Sequence, residues 1–159
     1  MTSQEIHEKI KLQFPNAVLE SKTEGVVDPF IKIAPEFMAD VASFIRGNEE
    51  LDFDFLMCLS GIDYGKGTLG AVYNIFSMKH SHKLNLKVEV PKDIAELPSV
   101  SQIWNTANWH EREVYDLIGI IFIGHPDPRR ILMPYDWEGH PLRKDYKTPE
   151  FYQGMKIPY

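Results

Sequence analysis

Six of the eleven prolines stand in the last 36 residues, at positions 126, 128, 134, 141, 149 and 158. Proline has a fixed φ and no backbone N–H, so prolines this dense exclude a long helix or a central strand from the segment. Yet the same stretch carries Tyr135, Trp137, Tyr146, Phe151, Tyr152 and Tyr159, together with six Lys or Arg and five Asp or Glu. That is too much aromatic surface for a plain solvated tail. Aromatic and Arg side chains dominate protein interfaces, and proline lowers the entropy lost when an extended chain becomes ordered, so one reading is that 124–159 wraps a partner. The other is that it packs back over its own domain. Composition leaves both open.

The preceding residues read as one ordinary domain: 159 residues in all are enough to bury a sizeable core without metal or disulfide staples. Thr2 and Glu5 have capping-box spacing, and Ile6, Ile10 and Phe14 recur every four residues until Pro15, which predicts a first helix. Val- and Ile-rich runs over 17–21 and 25–33 predict two strands. From Pro35, the positions Phe37, Met38, Val41, Phe44 and Ile45 form one apolar stripe, ended by Gly47-Asn48, and predict a second helix. Phe53, Phe55, Met57 and Leu59 alternate as in a strand that ends in the glycine turn at 63–67. Residues 71–78 are apolar on both faces. Leu84, Leu86, Val88 and Val90 alternate strictly with Asn85, Lys87 and Glu89, with a hairpin loop at 79–83 between these two runs. Helical character returns over 98–119, where Asn108 with Glu111 suits a cap. Strands in a block favour α+β over a parallel doubly wound sheet. The expected architecture is a two-layer α+β domain over 1–123, its mainly antiparallel sheet packed by helices, followed by an extended segment over 124–159.

Several function classes fall away. With 17 Lys plus Arg against 23 Asp plus Glu, the net charge of −6 has the wrong sign for a nucleic-acid partner. The one cysteine, Cys58, supplies neither an internal disulfide nor the ligand set of an iron–sulfur cluster, and its alternating strand predicts a buried, inert thiol. The apolar run at 117–124 is far short of the ~20 residues of a membrane span, and no secretory pattern opens the chain, so a soluble cytoplasmic protein with no span of its own is expected. Phosphate-binding glycine motifs are absent: Gly65-Lys66-Gly67 with Gly70 reads as a hairpin turn.

Two clusters could carry chemistry. His80 and His82 would share one side of a strand, as in some zinc sites, but with lysines around them a solvated pair is the plainer reading. Glu111-Arg112-Glu113 with Asp116 is the densest charge group in an apolar stretch. On a helix, Arg112 would reach Asp116 at i+4, and Glu113, Asp116 and Trp109 would share a face. Paired carboxylates could serve acid–base work. The favoured reading is instead an ion-pair network that fixes the helix against Arg129 and Arg130 or against a partner.

The stretch from Trp109-His110-Glu111-Arg112-Glu113-Val114-Tyr115-Asp116 through Pro126-Asp127-Pro128-Arg129-Arg130-Ile131-Leu132, continued by Pro134-Tyr135-Asp136-Trp137-Glu138-Gly139-His140-Pro141-Leu142-Arg143-Lys144-Asp145-Tyr146, resembles one family signature. It is similar to that of the thirty-kilodalton subunit, or C subunit, of respiratory complex I, the NADH:quinone oxidoreductase. The resemblance implies a structural subunit of the peripheral arm with no catalytic residue and no cofactor or metal of its own. NADH, FMN, iron–sulfur clusters and quinone would belong to the complex. It implies that the C-terminal extension binds the neighbouring forty-nine-kilodalton subunit, which helps form the quinone site, beside the arm's iron–sulfur subunits. The place implied is the cytoplasmic side of a bacterial inner membrane. Matched by position, Glu111, Arg112, Glu113, Asp116, His125, Asp127, Arg129, Arg130, Asp136, Trp137, Arg143, Lys144, Asp145 and Tyr146 are the expected interface and structural residues. Related subunits serve ferredoxin-, deazaflavin- and hydrogenase-linked complexes, so the electron donor stays open. A chain that stops at Tyr159, soon after the motif, fits a stand-alone bacterial subunit. The reading from another class is an independent hydrolase using Glu111, Glu113 and Asp116.

Overall fold

The structure, a computed structural model, describes residues 1–157; Pro158 and Tyr159 of the expected extended segment lie outside the described residues. Helix α1 (Ser3–Gln13) starts as its spacing predicts, with Thr2 Oγ1 accepting from the Glu5 N–H and Glu5 Oε2 accepting from the Thr2 N–H. Its Ile6 and Ile10 are fully buried, and Phe14 packs edge-on against Phe44 with ring centroids 5.7 Å apart.

Five strands form the main sheet: β1 (Val18–Lys22), β2 (Phe30–Ile33), β3 (Phe55–Gly65), β4 (Thr68–Ser77) and β5 (His82–Pro91), in the order β1-β2-β5-β4-β3. Every pairing is antiparallel except β2 with β5, which run parallel. The parallel pair exists because a crossover through helix α2 (Met38–Gly47) separates β2 from the β3-β4-β5 meander. Opposite Leu84, Leu86, Val88 and Val90 stand Ile75, Tyr73, Ala71 and Leu69, and all eight are buried. This face shares one core with Ile6 and Ile10 of α1, Met38, Val41, Ala42 and Ile45 of α2, and Val114 and Ile118 of helix α3 (Ala107–Ile118). Each fully buried Leu, Ile or Val contributes about 1.5–3 kcal/mol, so the strict alternation of β5 sets which way the sheet faces. The other face is a polar ladder: Lys32 pairs with Glu89 at 2.7 Å, Asn74 donates to Asn85 at 2.5 Å, and the Lys87 ammonium lies 3.6 Å from the Phe30 ring centroid. The expected α+β class with a mainly antiparallel sheet is the one found.

Local expectations fail where backbone irregularity changes parity. The register of β3 slips between Leu56 and Cys58, so Leu56 and Leu59 face the core while Phe55 and Met57 are 44% and 40% exposed. The expected Phe55–Met57–Leu59 stripe therefore does not exist: a bulge adds one residue, and one residue flips a strand's faces. For the same reason Cys58 is half-buried rather than buried, its Sγ 3.4 Å from Ser60 Oγ. The strand expected over 25–33 shrinks to β2, because Gly25 takes a φ of +69° and Pro29 has no N–H to pair. His80 and His82 are not a solvated pair. Their rings stack at 5.5 Å, His80 Nε2 lies 2.9 Å from the Glu49 carbonyl, and His82, 7% exposed, places Nε2 2.7 Å from the Leu51 carbonyl. Among the described residues, no group of three His, Cys, Asp or Glu could hold a metal ion.

The helix expected over 98–119 is shorter. Strand β6 (Glu96–Pro98) and a run of turns precede α3, and strand β7 (Ile121–Ile123) returns parallel to β6. Asn108 lies inside α3 and is not its cap; Thr106 holds that position without a side-chain bond. Glu111 folds back instead onto the turn before the helix. Beyond β7, one small hairpin, β8 (Phe151–Tyr152) with β9 (Met155–Lys156), is the regular structure of 124–157 among the described residues.

Candidate functional site

Helix α3 ends at Gly119, whose φ of +83° lets its N–H close on the Val114 and Tyr115 carbonyls. The last turn contains no basic residue, so its terminal carbonyls need donors from elsewhere. The segment after β7 supplies them. The Asp116 carbonyl accepts from Arg130 Nη1 at 3.3 Å and lies 3.0 Å from His140 Nδ1. The Leu117 carbonyl accepts from the Leu142 N–H at 2.9 Å. Arg143 then spans the end, donating from Nε to the Ile118 carbonyl at 2.6 Å and from Nη2 to the Gly119 carbonyl at 3.3 Å. A β-carbon at Gly119 would stand 2.4 Å from Arg143 Nη2 and 2.5 Å from the His140 ring, so only glycine admits this closure.

Asp116 anchors the other side of the joint. It is fully buried; Oδ1 accepts from Arg130 Nη1 at 2.7 Å, and Oδ2 accepts from the consecutive N–H groups of Ile131, Leu132 and Met133 at 3.0, 2.7 and 2.8 Å. Desolvation alone would raise this carboxyl, but the Met133 and Leu132 N–H groups, the Arg130 guanidinium and the Ile131 N–H outweigh it and hold Asp116 below the usual carboxylate range. The expected Arg112–Asp116 pair is therefore absent. Arg112 turns away to the Arg129 and Arg130 carbonyls, at 3.1 and 3.2 Å, and lies 3.8 Å from Asp127 and 5.4 Å from the Trp109 ring centroid. A buried carboxylate gains more from three converging N–H groups and a guanidinium than from one exposed i+4 partner.

Glu111 sits one turn earlier on the same helix, also fully buried. Its Oε2 accepts from Ser99 Oγ at 2.6 Å and its Oε1 from the Val100 N–H at 2.7 Å. Desolvation pushes its carboxyl up to about 7, against the lowering pull of Ser99 and Val100. His125 Nε2 lies 3.0 Å from the Asn108 carbonyl, and Nδ1 accepts from the Asp127 N–H at 3.0 Å, an arrangement that places the ring proton on Nε2. Above them opens a cleft of about 250 Å³, lined by Glu111, Arg112, Tyr115, Ile121, Phe122, His125 and Pro128. Glu113 is exposed and borders a different cleft, with Cys58 and His110. Glu111, Glu113 and Asp116 thus face three separate environments and share no substrate pocket, and Trp109, 63% exposed, does not join Asp116 on a common face.

The remaining expected residues extend the joint. Asp127 holds Arg129 by two bonds, at 2.6 and 2.8 Å, and the Arg129 side chain stays 77% exposed. Asp63 of β3 accepts from the Lys144 N–H at 2.8 Å and from the Gly65 N–H at 2.7 Å, bonds that hold its carboxyl below the usual range. Asp145 pairs with Lys92. Farther out, Trp137 Nε1 donates to Tyr146 Oη at 2.9 Å, Asp136 accepts from Tyr152 Oη and Gln153 Nε2 at 2.9 and 3.1 Å, and the Trp137 and Tyr152 rings lie 5.0 Å apart. Partners in this joint that were not among the expected residues include His140, Gly119, Asp63, Lys92, Tyr152 and Gln153. Gly119 at the end of an apolar helical run is the one that sequence could have flagged.

The segment over 124–157 is thus locked to α3 and to the β3–β4 hairpin through polar atoms, while several of its apolar side chains point outward and Ile131, Met133, Trp137 and Tyr146 are half-buried. Tyr135 is 93% exposed, Leu132 60%, Leu142 59%, Phe151 59% and Met155 64%. No described helix is long and apolar enough to cross a membrane.

A model of the family described as "Respiratory-chain NADH dehydrogenase, 30 Kd subunit" matches residues 31–152. A relative from Chloroherpeton thalassium, described as the C subunit of NADH-quinone oxidoreductase, is 50% identical over 151 residues, covering 94% of this chain and 63% of the relative. A protein of the same description from Chlorobium phaeobacteroides is 43% identical over 155 residues, covering 96% of this chain and 93% of its own. The chain therefore spans less than two-thirds of the first relative and nearly all of the second. Among solved structures, the trypsin-resistant fragment of Nqo5 superposes with a TM-score of 0.65 at 26% identity, covering 80% of this chain and 99% of that one. A chain of the archaeal membrane-bound sulfane sulfur reductase superposes with a TM-score of 0.70 at 23% identity, covering 91% of this chain and 85% of that one, a likeness of fold.

Proposed function

The chain belongs to the family of the respiratory-chain NADH dehydrogenase 30 Kd subunit, and from that premise we propose that it is a structural subunit of the peripheral arm of an NADH:quinone oxidoreductase, supporting electron transfer without holding a redox group itself. In this reading the segment over 124–159 binds the larger subunit that helps form the quinone site, and NADH, FMN, iron–sulfur clusters and quinone are held by other subunits. The chain attaches to the cytoplasmic side of a bacterial inner membrane through its partners.

The observation that carries the reading is the division of labour in the joint. Asp116, Arg130, His140 and Arg143 direct their hydrogen bonds inside the chain, whereas Leu132, Tyr135 and Leu142 are left facing out. A segment that served only its own domain would bury those side chains and expose the charges. An extended strap clamped by charge-assisted bonds reaches its partner already ordered, which removes part of the entropic cost of association.

The test is recovery of the native assembly. With the chain tagged in its own cell and membranes solubilised in mild detergent, an iron–sulfur-containing, NADH-oxidising complex that includes the quinone-site subunit is expected. Recovery of the chain alone would overturn the reading.

A further inference from the structure

Glu111 is a fully buried carboxyl for which the assembly role has no use. Its surroundings are few and defined. Ser99 and Val100 hold it from the turn after β6; Tyr73 of β4 approaches from the core; His125 approaches from beyond β7, with Nε2 3.9 Å from Oε2. Desolvation, with Glu111 second, pushes the Tyr73 phenol up, and Tyr73 Oη makes no hydrogen bond. Arg112, next along the helix, directs its guanidinium away to the Arg129 and Arg130 carbonyls. Among the described residues no Lys or Arg therefore compensates a charge on Glu111, and His125 Nε2 lies 3.9 Å from its Oε2 across the cleft floor.

That same imidazole seats the strap. Through Asn108 and Asp127 it ties the residues after β7 to α3, at the rim of the 250 Å³ cleft. We propose that Glu111 and His125 form a proton-linked latch: with Glu111 protonated, the neutral imidazole holds the Asp127 N–H, and loss of that proton draws His125 Nε2–H from the Asn108 carbonyl to the carboxylate and releases the strap at 125–128. The step balances as one proton lost to solvent and one N–H···O bond exchanged for another. Nothing covalent changes. The latch lies within the chain and stands whether or not the segment binds the quinone-site subunit.

The joint contains its own control, because the Leu132 N–H is held by Asp116, a carboxylate that remains ionised across the neutral range. Amide hydrogen exchange on the full chain, corrected for intrinsic rates, should show protection at Asp127 falling roughly tenfold for each pH unit above the point where Glu111 ionises. Protection at Leu132 should stay level from pH 6 to 8.5. Glu111→Gln keeps an acceptor for the Val100 N–H and cannot ionise, and should hold Asp127 protected throughout. If that variant does not fold, the Glu111 carboxyl resonance of the unaltered chain should titrate in step with Asp127 exchange. Parallel behaviour of Asp127 and Leu132, a pH-dependent Asp127 in Glu111→Gln, or a Glu111 titration out of step with Asp127 would overturn the latch.

Discussion

Arg143 Nε donates to the Ile118 carbonyl at 2.6 Å, so the cation that closes α3 comes from 25 residues farther along the chain. Helix and strap are therefore one folding unit at this joint. The strap covers orphan carbonyls that the helix cannot satisfy, and the helix gives the strap a fixed place from which to present Leu132, Tyr135 and Leu142.

Arg130 and Arg129 are adjacent but not equivalent. Arg130→Ala removes the side-chain cation from a buried carboxylate and should destabilise the chain by about 3 kcal/mol in urea unfolding. Arg129→Ala, at a solvent-facing pair with Asp127, should leave the unfolding midpoint unchanged. The double variant should lower the yield of assembled peripheral arm while β1–β5 stay folded, as measured by circular dichroism. Equal effects of the two single variants would contradict the buried role of Arg130.

Gly119→Ala places a β-carbon in a left-handed backbone and into the Arg143 and His140 side chains. The backbone term alone costs about 1–2 kcal/mol, and displacement of the capping groups adds to it. A loss above ~2 kcal/mol is expected, together with faster exchange of the Leu142 N–H. Unchanged exchange there would mean that the cap is held by other groups.

The two buried carboxyls of α3 should give opposite pH dependences. Asp116 is lower in the folded state than unfolded, so its stabilisation is present above the ordinary Asp range and is lost as pH falls through the folded value. Glu111 is raised to about 7, so stability is fully present below the ordinary Glu range, is lost as pH rises from that range through about 7, and levels off above it. Urea titrations across pH should therefore show Asp116→Asn flattening the acid limb and Glu111→Gln flattening the decline between the ordinary Glu range and about 7, with a gain on the order of 2 kcal/mol at pH 8 for the latter.

Leu132→Ala with Tyr135→Ala removes outward-facing surface only. Thermal stability should change by less than about 0.5 kcal/mol equivalent, whereas co-purification of the quinone-site subunit should drop several-fold. Intact co-purification would move the partner surface elsewhere.

Features that depend on local spacing are legible in the amino-acid order alone. Thr2 with Glu5 starts α1, the stripe from Met38 to Ile45 makes α2, and the alternation from Leu84 to Val90 orients β5, because capping and period-of-two or period-of-3.6 burial act within a few residues. The Trp109–Tyr146 stretch also carried the family resemblance, with most of the residues that form the joint. Whatever rests on non-local partners or on strand parity had to wait for the fold. The β3 bulge turned Phe55 and Met57 outward, and Glu111 folded back on Val100 rather than belonging to an Asn108 cap. Asp116 chose Arg130 and three backbone N–H groups over Arg112. A buried charge takes the set of donors that best replaces its lost water, and residue spacing does not say which donors folding will bring to within about 3 Å.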